Sequence, residues 1–496
     1  MSSLKHESLG STLTGVDLSS VVQFRGIPYG QISARFSPPE PVTTLPESLD
    51  CTNYGFPRCP QVPIDVGHLL RIPREHVLPT EPEDEFRCLN LDVVLPKHRP
   101  ATEKLPVMVW IHGGSQAMTF GSAASGVCDM TTIVDDSLRL SKPIIVVAVQ
   151  YRLNIFAFGD DESVGNLALK DQTLALKWVQ SHISGFGGDP SRVTLAGESA
   201  GAVYSHAHLV SEAPAKQFIL SSGSLHLSPP QPPAKAKAMR QTLQRSLEDV
   251  GDFNLRNAPV SAIIEALKKS GIQSWFLQME PALKNWEDNT GTAQRLLISD
   301  VQNEAILWNT GIWSTDTDAI VNAFESAGES GTELKRLYNI DPNRPSASKT
   351  GALDFINDCK FVLPIEKVVQ KWQAAKKPVF RCVLDEVNPW QPSSGSHHAV
   401  DLLLLFGGFD LSFSAAAHKT GIQMRKKWID FIQSEEPWSP NVCAAFGPHG
   451  EYRELDNEGL RLRRRMTQVE YLEKMDLAVT DRVFIALAAG KISLLN

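Results

Sequence analysis

Residues 193–201 read Val-Thr-Leu-Ala-Gly-Glu-Ser-Ala-Gly, an apolar strand-like run that ends at Gly197 and opens into a helix-compatible segment. Glycines on both sides of Ser199 allow a sharp strand-to-helix turn, because they carry no Cβ atoms that would collide there. Such a turn holds the Ser199 hydroxyl above the sheet and leaves the Ala200 N–H at a helix N-terminus, where negative charge is favoured. The short pattern also occurs by chance, so its meaning depends on its surroundings.

The segments around this turn alternate between strand and helix patterns. Residues 107–111 and 143–149 are continuous apolar runs, typical of strands buried on both faces of a sheet. Residues 167–182 have apolar side chains near helical spacing, and residues 218–220 form the next strand pattern. This alternation predicts an α/β protein with a largely parallel sheet.

The composition indicates one large globular domain. The chain has 496 residues, of which 42% are hydrophobic and 21% charged. From 229 to about 340 the pattern becomes mainly helical, and no repeat or low-complexity linker interrupts the chain. We therefore expect a single catalytic domain over 1–496, with a helical insertion at about 229–340.

Several classes of protein are disfavoured by the same composition. A net charge of −8 argues against a nucleic-acid partner, and no apolar stretch is long enough to cross a bilayer. The first twenty residues lack the apolar centre of a signal peptide, and seven scattered cysteines suit a reducing compartment. We expect a cytoplasmic protein. No spacing typical of a metal site occurs, so neither a metal nor another cofactor is predicted. The sequence leaves the oligomeric state open.

Eight ordered blocks are distributed along most of the chain. They are 24–29 (Phe-Arg-Gly-Ile-Pro-Tyr), 88–91 (Cys-Leu-Asn-Leu), 110–114 (Trp-Ile-His-Gly-Gly), 151–153 (Tyr-Arg-Leu), 165–166 (Gly-Asn), 171–172 (Asp-Gln), 186–190 (Phe-Gly-Gly-Asp-Pro) and 197–201. Together they resemble the type B carboxylesterase/lipase family, which includes the cholinesterases. The resemblance implies the α/β-hydrolase fold, with helices flanking a mostly parallel central sheet and a helical insertion over the active site. The length looks like that of intracellular fungal-type members, many of which act in secondary metabolism.

The resemblance also implies a catalytic triad in the chain order serine, acid, histidine. Ser199 is the nucleophile. Residues 299–305 (Ser-Asp-Val-Gln-Asn-Glu-Ala) resemble the family's Gly-Asp-x-x-x-Glu-Gly segment and select Glu304 as the acid, with Asp300 as its competitor. Residues 397–407 resemble the family's histidine loop, and the spacing to Phe-Gly selects His398 rather than His397 as the base. The acid would hold the imidazole in the required tautomer and stabilise its charged form.

The oxyanion donors implied by the resemblance are the backbone N–H groups of Gly114, Ser115 and Ala200. Ser115 stands where the family has the third glycine of His-Gly-Gly-Gly, and the loop that follows is about two residues longer. Ser222 resembles a family serine that hydrogen-bonds near the acid–base pair, although an ordinary strand-end serine is an equal interpretation. Cys59 and Cys88 resemble the family's first disulfide, so the two thiols should lie near each other; the sequence leaves open whether the bond forms, since a reducing cytosol can keep it open.

Three functions fit these residues. The first is a serine carboxylic-ester hydrolase that acts on a small to mid-sized, largely apolar ester or lactone. The second uses the same acyl-enzyme as a transacylase or macrolactone-forming enzyme. The third is a non-catalytic interaction protein, which the intact Ser199, Glu304 and His398 disfavour. Four aromatic residues lie either in the core or beside a pocket: Trp275, Phe276, Trp308 and Trp313.

Overall fold

A 13-stranded sheet forms the centre of the structure, a computed structural model that describes residues 1–76, 78–98 and 103–493. Within these ranges the strands are β1 (Ser2–His6), β2 (Ser11–Leu18), β3 (Val21–Pro28), β4 (Gly30–Gln31), β5 (Glu40–Pro41), β6 (Ser48–Cys51), β7 (Asn90–Pro96), β8 (Leu105–Ile111), β9 (Ile145–Val149), β10 (Gly188–Glu198), β11 (Gln217–Ser221), β12 (Arg295–Val301), β13 (Val379–Leu384), β14 (Cys443–Phe446) and β15 (Tyr452–Leu455). The sheet order is β1-β2-β3-β7-β9-β8-β10-β11-β12-β13-β14-β15, with β6 beside β2, while β4 and β5 pair separately.

Neighbouring strands from β9 through β14 in this order are parallel. Antiparallel strands flank this section, β7 beside β9 and β15 beside β14. The predicted α/β architecture with a mostly parallel sheet is therefore confirmed.

Helices cover the two faces of the sheet. In the described ranges they are α1 (Val66–Leu70), α2 (Thr131–Arg139), α3 (Asn154–Phe158), α4 (Leu167–His182), α5 (Ala200–Val210), α6 (Pro233–Glu248), α7 (Val260–Ser270), α8 (Asn309–Trp313), α9 (Thr317–Glu325), α10 (Gly331–Leu337), α11 (Pro345–Asn357), α12 (Leu363–Ala374), α13 (Val400–Phe406), α14 (Ala415–Ile432), α15 (Asn457–Arg463), α16 (Met466–Glu473) and α17 (Leu477–Ala488). A turn of π-helix, Asp358–Val362, joins α11 to α12. No helix of the described chain is both long and apolar enough to span a membrane.

The two largest hydrophobic cores of the described chain, one on each face of the sheet, explain the unbroken apolar runs of the central strands. In β8, Val107, Val109 and Ile111 pack into the core on one face of the sheet. Met108 and Trp110 alternate with them and pack into the core on the other face. Since successive side chains of a strand point to opposite faces, a strand covered on both sides must be apolar throughout.

The interval 229–340 differs from the sequence prediction in one respect. It contains α6, α7 and α8 to α10, but also β12, which lies between β11 and β13 in the central sheet. Helical segments therefore occur on both sides of a core strand, and the interval is not one continuous helical insertion. The apolar residues of β12 at 296–298 were too few for a periodic strand signal.

Cys59 and Cys88 are both buried and unpaired. The Cys59 thiol contacts Cys88 and, together with burial, raises the pKa of the Cys88 thiol well above its usual range. The two sulfurs are thus neighbours, as the resemblance implies, and no disulfide bond joins them in this structure.

Candidate active site

The turn between β10 and α5 holds Ser199 in a conformation that serine rarely adopts. Its φ is 56° and its ψ is −121°, and its N–H donates to the Ser221 carbonyl at 2.9 Å. A Cβ atom on Gly197 would lie 2.4 Å from the Gly201 backbone, and one on Gly201 would lie 2.0 Å from the Ile111 carbonyl oxygen. Both glycines are therefore required for this turn, as the sequence pattern predicted.

The sheet brings the other predicted residues to the same edge. Ser199 follows β10, Glu304 follows β12, and the loop that carries His398 follows β13. Gly114 and Ser115 follow β8, the strand beside β10. Because carboxyl ends of parallel strands meet at one edge of the sheet, residues far apart in sequence converge there.

His398 and Glu304 form a short, buried hydrogen bond. His398 Nδ1 donates to Glu304 Oε2 at 2.5 Å, and both side chains are buried. Glu304 is held in turn by the Val301 N–H, which donates to its Oε1 at 2.9 Å, and by Asn357, whose side-chain oxygen accepts from the Glu304 N–H at 2.8 Å. The carboxylate thus fixes one tautomer, in which neutral His398 carries no proton on Nε2.

The second nitrogen of His398 faces the Ser199 turn. Nε2 lies 3.2 Å from Oε1 of Glu198, the residue before Ser199, but the two atoms are not aligned for a hydrogen bond. Within the described ranges the Ser199 hydroxyl has no hydrogen-bond partner either, and its side chain is 8% exposed. The ring nitrogen that would accept the Ser199 proton and the unengaged hydroxyl therefore lie at the same turn, without a hydrogen bond between them in this structure.

The two competing residues are engaged elsewhere. His397 Nδ1 donates to the His398 carbonyl at 2.9 Å, and its Nε2 accepts from the Asn388 side chain at 2.9 Å. Asp300 is buried between the Arg381 and Arg464 guanidinium groups, which hold its pKa below the usual range although burial acts in the opposite direction. Neither residue is available for the chemistry at Ser199.

Buried carboxylates control the charge of His398. Burial alone would lower the pKa of the imidazole, but Glu198 and Glu304 raise it to about 9. Burial raises the pKa of Glu198 well above its usual range, which the nearby imidazole partly offsets. Burial and Glu304 also raise the pKa of Asp401, to about 6. His398 and Glu198 therefore titrate as a coupled pair.

This coupling predicts an effect of Glu198→Gln on the pH profile. Only neutral His398 can accept a proton, so kcat/KM should rise as the pH passes the pKa of His398. Because Glu198 raises that pKa, its removal should move the rising limb to lower pH. Profiles of kcat/KM against pH for a neutral ester measure this shift. The exposed Glu458→Gln serves as a control that should leave the limb in place. If the rising limb of Glu198→Gln stays at the wild-type pH or moves to higher pH, Glu198 does not raise the pKa of His398.

The loop after β8 presents the predicted oxyanion donors. Gly114, Ser115 and Gln116 have φ values of 115°, 55° and 60°. In this conformation the Gly114 carbonyl accepts hydrogen bonds from two N–H groups of the same loop. The Ser115 carbonyl accepts one from the Trp275 N–H at 2.9 Å. In the described chain the N–H groups of Gly114, Ser115 and Ala200 have no intramolecular acceptor. Ser115 thus adopts the left-handed conformation that the family's glycine permits, and its N–H remains free to bind substrate.

The hydrogen bond near the acid–base pair that was predicted for Ser222 is made by Ser221. The buried Ser222 Oγ has no hydrogen-bond partner in the described ranges, and its φ of 51° turns it away from the strand direction. Ser221 instead donates to Asp401 Oδ2 at 2.9 Å and lies 2.8 Å from the Ser299 hydroxyl. The sequence motif placed the serine one position too far along the chain, because the last residue of β11 still points into the carboxylate cluster.

A cavity of about 230 Å³ opens beside Ser199. It is lined by Ser115, Gln116, Ser199, Ala200, Val203, Leu227, Ser228, Ser274, Trp275, Leu307, Trp308, Lys360, Phe484, Ala488 and Ile492. Of the four aromatic candidates, Trp275 and Trp308 line it, Phe276 packs on Phe158, and Trp313 is 44% exposed. The walls are mainly apolar, and Lys360 is the charged side chain among them.

The sequence relates this site to known enzymes. The family model described as "Carboxylesterase family" matches residues 9–479. The chain belongs to the carboxylesterase family. It is 29% identical to Lipase 3 of Yarrowia lipolytica, over 98% of this chain and 99% of that lipase. It is 37% identical to the inactive carboxylesterase-like protein VdtD of Byssochlamys spectabilis, over 43% of this chain and 37% of that protein. A solved PNB esterase structure matches with a TM-score of 0.74 at 23% identity, covering 93% of this chain and 99% of that one.

Membership of the carboxylesterase family makes this protein a carboxylic ester hydrolase of the serine type, with the α/β-hydrolase fold. Three residues of the site had no predicted role in this carboxylesterase. Glu198 and Asp401 lie inside the motifs at 197–201 and 397–407, and a charged residue in an otherwise uncharged motif was the one sequence feature that pointed to a role in the site. Lys360 lies in no motif, and only the folded chain brings it to the cavity.

Proposed function

We propose that the protein cleaves small to mid-sized, largely apolar esters or lactones through an acyl-enzyme on Ser199, with His398 as base and Glu304 as its orienting acid. The observation that carries this proposal is the 2.5 Å hydrogen bond from His398 Nδ1 to buried Glu304, on an imidazole whose other nitrogen faces the Ser199 turn. This arrangement gives the hydroxyl a base of defined tautomer.

The reaction then follows from the positions of these groups. His398 Nε2 takes the proton of Ser199 as the oxygen attacks the acyl carbon, and Glu304 stabilises the imidazolium that forms. The N–H groups of Gly114, Ser115 and Ala200 bind the oxyanion. The imidazolium protonates the departing alcohol, and the acyl group stays on Ser199. A water molecule, deprotonated by His398, attacks the acyl carbon; the bond to Ser199 Oγ then breaks, the acid leaves, and the imidazolium returns the proton to Ser199.

The cavity supports a substrate of limited size. A volume of about 230 Å³ lies below the range of about 300–1,000 Å³ that is usual for small-molecule sites. The apolar walls, including Val203, Trp275 and Trp308, favour a hydrocarbon acyl group. We therefore propose short or mid-length acyl esters as the best substrates.

Product analysis tests hydrolysis against acyl transfer. The purified protein is incubated with ethyl butyrate and ethyl hexanoate, with and without added butanol, and the acids and esters are quantified. We expect the free acid as the main product in both cases, with water as the acceptor. Predominant formation of the butyl ester would overturn hydrolysis in favour of a transacylase. Complete absence of turnover would favour a non-catalytic protein. The cytoplasmic location and a role in secondary metabolism stay predictions from the sequence.

A further inference from the structure

Lys360 stands out because it is a cation in the wall of the cavity that contains Ser199. Its surroundings are mostly apolar, with Leu227, Trp308 and Phe484 in the same wall. An ammonium group in such surroundings is poorly solvated unless it has hydrogen-bond partners or an opposite charge nearby.

In the described chain only part of the hydrogen-bonding capacity of this ammonium group is used. Nζ donates one hydrogen bond, to the His226 carbonyl at 3.3 Å, and lies 4.8 Å from the centre of the Phe484 ring. A lysine ammonium has three donors. No carboxylate in the described ranges forms an ion pair with it; Asp481 acts only from farther away, and Lys235 adds a like charge. Burial lowers the pKa of Lys360, as expected for a cation without a close counter-charge.

The backbone directs Lys360 into the cavity. It belongs to the π-helical turn Asp358–Val362 between α11 and α12, and such turns add a residue that rotates side chains relative to a regular helix. The next residue, Phe361, packs against the His398 ring with centroids 5.7 Å apart. Asn357, just before the turn, accepts from the Glu304 N–H. The same turn therefore contacts the acid–base pair and supplies the cation.

We propose that Lys360 is a specificity-determining residue that binds a carboxylate in the acyl part of the substrate, so that the enzyme prefers hemiesters of short dicarboxylic acids over neutral esters of equal chain length. This inference rests on the proposed function. We place the carboxylate in the acyl part rather than in the alcohol, because the acyl part remains on Ser199 in the small cavity after the alcohol has left. The two remaining ammonium donors supply charge-assisted hydrogen bonds to the carboxylate.

The test compares matched substrates. Ethanol release is measured from monoethyl succinate, glutarate and adipate, and from ethyl butyrate, valerate and hexanoate, which have the same numbers of acyl carbons. For at least one chain length we expect kcat/KM of the hemiester to exceed that of its neutral match by about 10- to 100-fold, the effect of one hydrogen bond to a charged group. Equal or lower values for all three hemiesters would overturn the inference, while turnover of the neutral esters reports separately on the proposed function.

Two variants separate recognition from structure. Lys360→Met should remove the preference by raising KM for the hemiesters, so that the ratio of kcat/KM between each hemiester and its neutral match falls to about one or below. Lys360→Arg should retain the preference, because the charge is kept. Lys367→Met is the matched control: this lysine lines a neighbouring cavity that does not include Ser199, so the preference should persist. An equal loss on both kinds of ester in Lys360→Met, with an unchanged melting temperature, would show a structural lysine and overturn the inference.

Discussion

Ser199→Ala should lower kcat for a short-chain neutral ester by about 10⁵- to 10⁶-fold, the loss seen when a serine hydrolase loses its nucleophile. The residual rate would come from the oxyanion donors and from binding alone. Steady-state assays with ethyl butyrate, at enzyme concentrations high enough to measure the residual rate, provide the comparison.

The same substitution should leave the fold intact. The Ser199 hydroxyl has no hydrogen-bond partner in the described chain, and alanine keeps the Cβ that the turn already accommodates. We expect the free energy of unfolding to change by less than about 1 kcal/mol. A folded Ser199→Ala variant that keeps more than a hundredth of the wild-type kcat would contradict the assignment of the nucleophile.

Glu304→Gln should lower kcat by about 10⁴-fold, since the base would be held in the wrong tautomer. In the wild type the Val301 N–H donates to Glu304 Oε1 at 2.9 Å, and the amide oxygen of glutamine can accept the same hydrogen bond. The amide NH₂ group of the glutamine would then face His398 Nδ1. His398 would then accept at Nδ1 and carry its proton on Nε2, where it cannot take the proton of Ser199. Measurement of kcat, with circular dichroism to verify the fold, tests this expectation.

Asp300→Asn is the matched control for Glu304→Gln, because Asp300 is a buried carboxyl group in the same segment. It compensates the charges of Arg381 and Arg464 rather than touching His398. Removal of one partner from a buried ion pair typically costs about 3–5 kcal/mol of stability. We expect a lower melting temperature with kcat per folded molecule nearly unchanged. The reverse pattern, in which Asp300→Asn loses turnover and Glu304→Gln keeps it, would exchange the roles of the two residues.

The sequence was informative where a local rule determines the structure. The turn at Ser199 depends on Gly197 and Gly201, whose steric requirement can be read from the residues themselves. The strands β8 and β9 are apolar because both faces of the sheet are covered, and that pattern is visible in a single chain. The choice of His398 and Glu304 came from the family resemblance, since nothing local distinguishes them from His397 and Asp300.

The sequence was uninformative where the answer depends on contacts between distant segments. Ser221 rather than Ser222 bonds to Asp401 because of where β11 ends relative to α13. Lys360 enters the cavity through a π-helical turn, which has no recognised sequence signal. Glu198 affects the pKa of His398 only because two loops meet over the edge of the sheet. Side-chain geometry of this kind requires the folded chain.

Trapping of the acyl-enzyme would show which residue attacks the ester. The protein is mixed with p-nitrophenyl butyrate, quenched with acid during the first turnover, digested and mapped by mass spectrometry. We expect a butyryl group on the peptide that contains Ser199, formed in the wild type and absent from Ser199→Ala. Product formation with no acyl group on that peptide, or with the acyl group on a different residue, would contradict this expectation.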